Sequence, residues 1–314
     1  MTLSIPRMQV FEIADYSWYP GFLRGYLQAA LTAAWTINIP LIQTSSPAEV
    51  VARLLRTHLG RNLHAHTFID FCAGAGGPTP FIERHLNSLT PSSPPSPNTN
   101  DTRKHPLQFV LTDLHPHPSL WAAAAARSPN LSYVAEPVDA AQVPREVIRK
   151  YRGGGRPGEE GKRVFRLFNV SFHHFDDGLA RAILRDTVDG GGEGFGIFEL
   201  QDRGLAGFLS VCLFGIGSLI TAPYYAVRWR SPLMLVFTYL VPIFPVVLLF
   251  DGWMSCLRTR TPDEVEALLR TCGAEGGEKE IAKWEVKSGS ETFMWPVGRV
   301  NWVIAVKKDD GGRD

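Results

Sequence analysis

The chain has 314 residues, which is enough for one large α/β domain with added segments. Its 32 basic and 31 acidic side chains nearly balance and form no basic arm or stripe, so we expect no nucleic-acid partner. The four cysteines are scattered without a C-x-x-C pair, which predicts a reducing compartment and no metal site. Residues 1–16 lack the charged and apolar regions of a signal peptide, which favours a cytoplasmic α/β domain.

The first predicted elements are an aromatic segment and a helix. Residues 11–20 are rich in aromatic side chains, among them Trp18 and Tyr19, and a helix is predicted over about 22–35. Packing in an apolar core is one role for these rings, because aromatic side chains remove large apolar areas from water when they are buried.

The most informative segment is 68–78, which is typical of a strand, a glycine turn and the start of a helix. The strand ends at Asp70, and Gly74 and Gly76 let the backbone turn sharply and approach a ligand closely. Open α/β sheets bind ligands at the carboxyl ends of their strands, so Asp70 lies where a ligand is expected. The spacing fits neither G-x-G-x-x-G nor a phosphate loop, and a glycine-rich loop that binds nothing is the alternative.

A second apolar strand is predicted over 108–113 and again ends in an acid, Asp113. It follows Asp70 by 43 residues (113 − 70), where roughly 20 are expected between a glycine turn and the acid that binds a ribose. The excess has a visible cause, because residues 88–105 are a tract rich in Pro, Ser and Asn. Such a tract cannot bury apolar surface and predicts a disordered surface insertion, which costs little loop-closure entropy.

Three further strands are predicted over 131–134, 163–170 and 195–200. Polar side chains lie at or after their carboxyl ends: Asp139 after the third strand, Asn169, His173 and His174 at and after the fourth, and Glu199 in the fifth. A helix over 261–270 and two closing strands, near 283–286 and 301–306, complete the pattern. Strands that alternate with helices and end in a strand pair predict a doubly wound, mostly parallel α/β sheet.

These segments together resemble the class I, Rossmann-like S-adenosylmethionine-dependent methyltransferases of the small-molecule type. The pattern D-x-x-x-G-x-G over 70–76 resembles motif I of that family, although Cys72 stands where many members carry a third glycine. The segment 163–175 resembles motif IV, in which a polar loop ending in histidine faces both cofactor and substrate. The resemblance covers about residues 64–308 without the insertions, and it implies S-adenosylmethionine as the cofactor.

The resemblance also implies roles for individual residues. The cofactor-binding positions are Asp70, Cys72, Gly74, Gly76, Asp113, Asp139 and Asn169. A solvated loop aspartate is the alternative for Asp139. His173 or His174 is expected as a base or substrate-orienting group, because an imidazole titrates near neutral pH; alternatively one ring packs under the sheet and the other faces solvent. Trp18, Tyr19 and Glu199 are the candidate substrate contacts.

A long apolar insertion separates this chain from a plain methyltransferase. Residues 204–227 and 231–250 contain no charged side chain, and each run is about as long as a membrane crossing requires. Pro223, Pro232, Pro242 and Pro245 interrupt them, which disfavours regular spanning helices. Spanning, shallow insertion and a soluble apolar lid all stay open, and each of them favours a lipophilic substrate.

The expected organisation has four parts: an N-terminal helical cap over 1–60, a cofactor-binding domain over 61–200, an apolar and membrane-associated insertion over 201–258, and completion of the α/β domain over 259–314. The expected function is methyl transfer to a lipophilic small molecule at a membrane, with membrane lipid as a second partner. A noncatalytic, membrane-associated assembly or binding protein that keeps the fold is the alternative. The sequence leaves the oligomeric state open.

Overall fold

The computed structural model describes residues 5–89, 106–152 and 161–308. Of the predicted insertion over 88–105, Ser88 and Leu89 belong to a helix, and the rest lies outside the described residues. The chain divides into two compact units. One, the sheet unit, comprises residues 48–199, 261–290 and 301–314; the other, the hairpin unit, comprises residues 1–47, 200–260 and 291–300.

Seven strands form one sheet in the order β3-β2-β1-β4-β5-β7-β6. The strands are β1 (His66–Asp70), β2 (Phe109–Leu111), β3 (Leu131–Tyr133), β4 (Arg163–Asn169), β5 (Gly192–Glu199), β6 (Trp284–Met294) and β7 (Gly298–Lys307). Strands β1 to β5 pair parallel with one another, and β7 pairs antiparallel with β5. This arrangement confirms the predicted doubly wound, mostly parallel α/β fold of the class I methyltransferase type.

The helices of the chain are α1 (Gly21–Thr36), α2 (Pro47–Leu59), α3 (Thr79–Leu89), α4 (Pro118–Ala125), α5 (Arg145–Arg152), α6 (Asp177–Asp189), α7 (Leu205–Arg228), α8 (Leu233–Leu235), α9 (Ile243–Arg258), α10 (Pro262–Arg270) and α11 (Gly277–Ile281). A π-helical turn, Val236–Leu240, follows α8. Side-chain hydrogen bonds fix the starts of two helices. Asp176 accepts from the Leu179 N–H at the start of α6, and Thr261 and Glu264 form a capping box at the start of α10.

Both faces of the sheet are buried, as parallel sheets require. Ile69, Val110 and Val164 pack with side chains of α5, α6 and α10 on one face. Phe68 alternates with Ile69 and therefore points to the opposite face, where its ring contacts Phe109 and Phe165. The strand order reverses beside β1, which pairs with β2 on one side and β4 on the other. Such a switch point is where open α/β sheets bind ligands.

The last three strands are longer than predicted. β5 begins at Gly192, before the predicted start at residue 195, so this glycine belongs to the sheet. A Cβ on Gly194 would lie 2.5 Å from the Phe165 ring, so glycine here lets β5 pack closely on β4. β6 and β7 extend into a hairpin whose exposed polar residues, such as Lys287 and Glu291, conceal the strand pattern in the sequence.

The hairpin unit is built around α7 and α9, which run antiparallel. Gly215 on α7 faces Leu249, and Gly252 on α9 faces Val211; a Cβ at either glycine would lie within 2.6 Å of the opposing side chain. The close approach of the two helices therefore requires glycine at both positions. A core that includes Tyr19, Leu23, Leu27, Ala222, Phe244 and Leu248 joins α1 to this pair.

Candidate functional site

Asp70, the last residue of β1, fixes the base of the glycine turn through hydrogen bonds to its carboxylate. Its carboxylate is fully buried; Oδ1 accepts from the Cys72 N–H at 3.2 Å, and Oδ2 accepts from the Asn169 amide at 3.2 Å and from the Thr79 hydroxyl. Burial raises the pKa of Asp70 to about 6, against the lowering effect of the hydrogen bonds from Thr79, Cys72 and Asn169. Asp70 thus joins β1, β4 and α3 beneath the turn, and Asn169 takes part in the same network.

The backbone of Gly74 is held at both its N–H and its carbonyl. Its N–H donates to Asp113 Oδ2 at 2.8 Å, and its carbonyl accepts from the indole N–H of Trp121 at 2.9 Å. Its φ of +50° and the φ of +108° at Gly76 lie in the region that favours glycine. A Cβ at Gly74 would meet no protein atom within 4 Å, so the turn presents bare backbone on an open side.

Two further predicted positions lie at this end of β2 and β3. The Asp113 carbonyl accepts from the Val138 N–H at 2.9 Å, which holds the loop after β3 next to the end of β2. Asp139 follows; it is exposed, and its Oδ1 accepts from the Ala141 N–H at 2.8 Å. The structure therefore brings Asp113 and Asp139 to one edge of the sheet, with Asp139 stabilising its own loop.

A buried arginine supports the same loop from inside the protein. Arg166 lies in β4 with no solvent exposure, donates to Asp186 Oδ2 at 2.8 Å and stacks 4.8 Å from the centre of the Phe71 ring. It also donates to the Ala140 carbonyl at 3.4 Å. Arg166 thus connects the strand that carries the glycine turn with the loop that carries Asp139. Burial lowers its pKa, and Asp186 opposes that effect.

The half-buried thiol of Cys72 lies beside two carboxylates. Burial raises its pKa well above the ordinary value, and the charges of Asp113 and Asp70 raise it further. The side chain is therefore a neutral thiol at physiological pH and not a nucleophilic thiolate.

The loop after β4 holds the two predicted histidines. Val170 has a φ of +46°, a costly conformation for a β-branched residue, and its N–H donates to the Phe198 carbonyl at 2.8 Å. The backbone then enters a 3-10 turn, Phe172–His174. The His173 and His174 rings lie 4.3 Å apart, with His173 buried and His174 half-buried.

Glu199 contacts His173 twice. Its Oε2 lies 3.0 Å from His173 Nδ1, and its Oε1 accepts from the His173 N–H at 3.2 Å. Both side chains are buried. A carboxylate that accepts from Nδ1–H leaves the unprotonated nitrogen of a neutral imidazole at Nε2. Glu199, which the sequence predicts as a substrate contact, is therefore a hydrogen-bonding partner that orients the His173 ring.

The predicted substrate contacts Trp18 and Tyr19 both belong to the hairpin unit. Trp18 is 67% exposed, whereas Tyr19 is buried in that unit's apolar core. The position of Tyr19 agrees with the core-packing alternative, and the role of either ring at a substrate stays a prediction.

The residues at the strand ends fit S-adenosylmethionine in three respects. The open side of Gly74 offers backbone to a close-fitting ligand, and Asp113 is an acceptor at the end of β2, where a ribose acid is expected. Asn169 Oδ1 is buried without a hydrogen-bond partner among the described atoms, which offers an acceptor at the end of β4. These groups and the His173–Glu199 pair lie at the carboxyl ends of neighbouring strands.

Sequence reasoning missed the supporting residues Thr79, Trp121 and Arg166. Trp121 lies in an alanine-rich helix, and an isolated arginine within the apolar strand β4 is the one local signal that was available for Arg166. The pairing of Glu199 with His173 depends on the register of β4 and β5, in which Asn169 lies opposite Phe198. That register is not visible in either strand alone.

No family model and no curated protein matches the chain. Among solved structures, 88 chains match it. One is a SAM-dependent methyltransferase from Anabaena variabilis, at 15% identity and a TM-score of 0.41, which covers 98% of this chain and 100% of that one. Another is an O-methyltransferase family protein from Burkholderia thailandensis, at 12% identity and a TM-score of 0.40, which covers 84% of this chain and 57% of that one.

A third match is human N-acetylserotonin methyltransferase, at 13% identity and a TM-score of 0.36, which covers 91% of this chain and 67% of that one. The chain spans about half the length of three of the matching structures, at 57%, 47% and 55%. At such low identities and TM-scores, the strand order and the site geometry of the chain itself define what it resembles. That resemblance is to the class I methyltransferase fold.

Proposed function

We propose that this protein is an S-adenosylmethionine-dependent methyltransferase that acts on a lipophilic small molecule at a membrane surface. The observation that carries the proposal is the double restraint on Gly74 by Asp113 and Trp121, which leaves the outer side of the turn open. A carboxylate that fixes such a turn at the switch point of a doubly wound sheet is suited to a nucleoside ligand. The chemistry that S-adenosylmethionine supplies when bound is an electrophilic methyl group.

The binding step is tested by calorimetry with S-adenosylmethionine and the full chain. Gly74→Val is expected to abolish binding, because a side chain would project from the open side of the turn. Gly60→Val is a matched control, since Gly60 has the same φ of +50° and also has no protein atom within 4 Å of a Cβ. Equal cofactor affinity in the two variants would contradict the proposed site, and no binding by the wild type would favour the noncatalytic alternative.

The residues suited to proton transfer are His173 and Glu199. Methyl transfer requires a nucleophile without its proton, held in line with the methyl group. With Nδ1 directed to Glu199, Nε2 of His173 is the basic nitrogen, and the carboxylate stabilises the imidazolium that forms when it takes a proton. His174, whose ring adjoins that of His173, would orient the substrate.

Single variants separate these roles. His173→Gln should lower kcat at least about a hundredfold while the cofactor Kd stays within about twofold, as expected for a lost general base. Glu199→Gln should lower kcat less than His173→Gln does, because it weakens the orientation and the stabilisation of the imidazolium but leaves the basic nitrogen in place. The substrate is first identified by profiling products with a labelled methyl group. Full activity in both His173→Gln and His174→Gln would exclude a histidine base.

The lipophilic substrate and the membrane are supported by the hairpin unit. Helix α7 is long and apolar enough to cross a bilayer. Its most apolar 18-residue window has a mean hydropathy of 2.0, and 28% of that window is buried. A core helix of a soluble protein would be mostly buried. The chain enters α7 shortly after Glu199, at the carboxyl end of β5, which favours an apolar substrate delivered from the membrane.

A further inference from the structure

Helix α7 carries one continuous apolar stripe on its exposed side. The stripe consists of Leu205, Leu209, Leu213, Ile216, Ile220, Tyr224 and Val227, and every member is exposed. Successive members are three or four residues apart, so they share one face along the whole helix, which is about 36 Å long. Leu205 is 75% exposed and Val227 is 80% exposed, so the stripe reaches both ends.

The opposite side of α7 is fully used by contacts within the unit. Its buried positions are Gly207, Val211, Gly215, Ser218, Ala222 and Ala226. Val211 and Gly215 face α9, and Ala222 and Ala226 belong to the core of the unit. An apolar stripe of this length exceeds what a soluble monomer ordinarily leaves in water. The end of the helix indicates lipid as the occupant, since Arg228, Trp229 and Arg230 form the basic and aromatic combination that prefers a headgroup region.

The helical segment that returns from the turn, residues 233–258, is interrupted where a spanning hairpin needs a straight second crossing. Its two pieces, Leu233–Leu240 and Ile243–Arg258, are bent by 70°. The first piece has eight residues, and eight uncharged residues of the second precede Asp251, so each arm is about 12 Å long. Two arms of that length, bent in this way, reach less far than the about 30 Å of a bilayer core.

Polar contacts fix the C-terminal half of α9 in a setting unlike lipid. Asp251 accepts from the Ile13 and Ala14 N–H groups at 2.7 and 3.0 Å. Arg258 pairs with Glu12 at 3.0 Å and with Asp15 at 3.2 Å, and the Asp15 side chain is 46% exposed. The N-terminal segment therefore covers this half of α9 with charged groups that require water nearby.

We infer that the hairpin unit embeds in a single membrane leaflet, with α7 lying parallel to the surface and its stripe immersed about 5–10 Å deep. This orientation places all seven stripe residues at one depth and leaves Arg228 and Arg230 at the headgroup level. An upright hairpin would instead bury those arginines or the Asp251 contacts in the hydrocarbon. The inference rests on the membrane part of the proposed function and is independent of cofactor binding.

Depth measurements on the full chain test the orientation. Cys72 and Cys212 are changed to Ala, and nitroxide labels are placed singly at Leu209, Ile216 and Val227 by cysteine substitution. Oxygen and nickel-chelate accessibility is then measured on sealed phosphatidylcholine vesicles, with and without anionic lipid. The expected result is one shallow depth for all three labels, whereas a label at exposed Asp263 on α10 stays aqueous.

Two outcomes would overturn the inference. In an upright helix, Leu209 and Val227 lie about 27 Å apart along the membrane normal, so labels at separate depths would exclude a parallel α7. Protein that stays in the supernatant with aqueous labels would reject the membrane part of the proposed function, while calorimetry on the wild-type chain, which keeps Cys72, tests the cofactor site separately.

A charge substitution gives a second readout. Ile220→Glu changes a 73% exposed side chain and therefore spares the folded core. It should weaken vesicle binding at least about tenfold, because it removes an apolar side chain from the stripe that contacts lipid and places a charge there. The matched control is Leu179→Glu on α6, which is also exposed and lies outside the hairpin unit. Equal loss of binding in the two variants would contradict the assigned stripe.

Discussion

The buried carboxylate of Asp70 is expected to make stability depend on pH. Burial raises its pKa from an ordinary 3.8 to about 6, and the nearby Asp113 raises it as well, although three hydrogen bonds to the carboxylate oppose the change. The folded state therefore binds the proton more tightly than the unfolded state does. The stabilisation is complete below pH 3.8 and is lost as the pH rises through about 6. The difference, at about 1.4 kcal/mol per pH unit, corresponds to roughly 3 kcal/mol.

The variant Asp70→Asn isolates this contribution because the amide does not titrate. Its Oδ1 can still accept from the Cys72 N–H, and its amide group can donate to the Thr79 hydroxyl. The Asn169 amide can rotate to present Oδ1, which has no hydrogen-bond partner among the described atoms. The variant should therefore fold, and it should gain stability relative to the wild type as the pH rises.

The assay is urea unfolding of wild type and variant at intervals from pH 4 to 7.5, followed by circular dichroism. The variant's free energy of unfolding, relative to wild type, should rise by roughly 2–3 kcal/mol across this range, because the unfolded carboxyl is already partly ionised at pH 4. Asp263→Asn, at an exposed position in the first turn of α10, controls for the change in charge. A constant difference between wild type and Asp70→Asn, or a change of opposite sign, would refute the reasoning.

Three other changes test the support of the site and the fold. Trp121→Phe removes the donor to the Gly74 carbonyl and should cost about 1 kcal/mol in urea unfolding, with weaker cofactor binding in calorimetry. Asp186→Asn should lower the free energy of unfolding by about 3–5 kcal/mol, because it leaves the fully buried Arg166 guanidinium without its counter-charge. Arg166→Met should cost less, because the Asp186 side chain that it leaves unpaired is 15% exposed, and equal costs would contradict this reasoning. Thr261→Ala should cost about 1 kcal/mol by removing the capping box of α10, and an unchanged unfolding midpoint would exclude that role.

The sequence was sufficient where the signal is local. The glycine turn was predicted from the spacing of Asp70, Gly74 and Gly76, because a positive φ and the approach of backbone to a ligand depend on the residues of the turn itself. The helix over 261–270 was predicted for the same reason, since Thr261 and Pro262, which favour its start, are adjacent in the sequence. The doubly wound, mostly parallel sheet was predicted from the alternation of strands and helices, whereas its strand order comes from the structure.

The sequence was insufficient where a contact joins distant segments. The donor that holds the Gly74 carbonyl lies 47 residues away at Trp121, and the partners of Asp251 in the N-terminal segment lie more than 200 residues away. Each of these groups is an ordinary side chain or backbone amide in its own surroundings. Their pairing follows from the tertiary fold, which a hydrophobic period does not encode.

The His173–Glu199 pair shows how such contacts change the meaning of a residue. Both side chains were predicted at the site from their positions at strand ends, but with separate roles. The parallel register of β4 and β5 puts Asn169 opposite Phe198, so the loop that leaves β4 passes over the last residue of β5. Glu199 therefore meets both the backbone N–H and the ring of His173. A carboxylate engaged in this way defines the basic nitrogen of the imidazole, and the chemistry assigned to the loop depends on the sheet register as much as on the histidine.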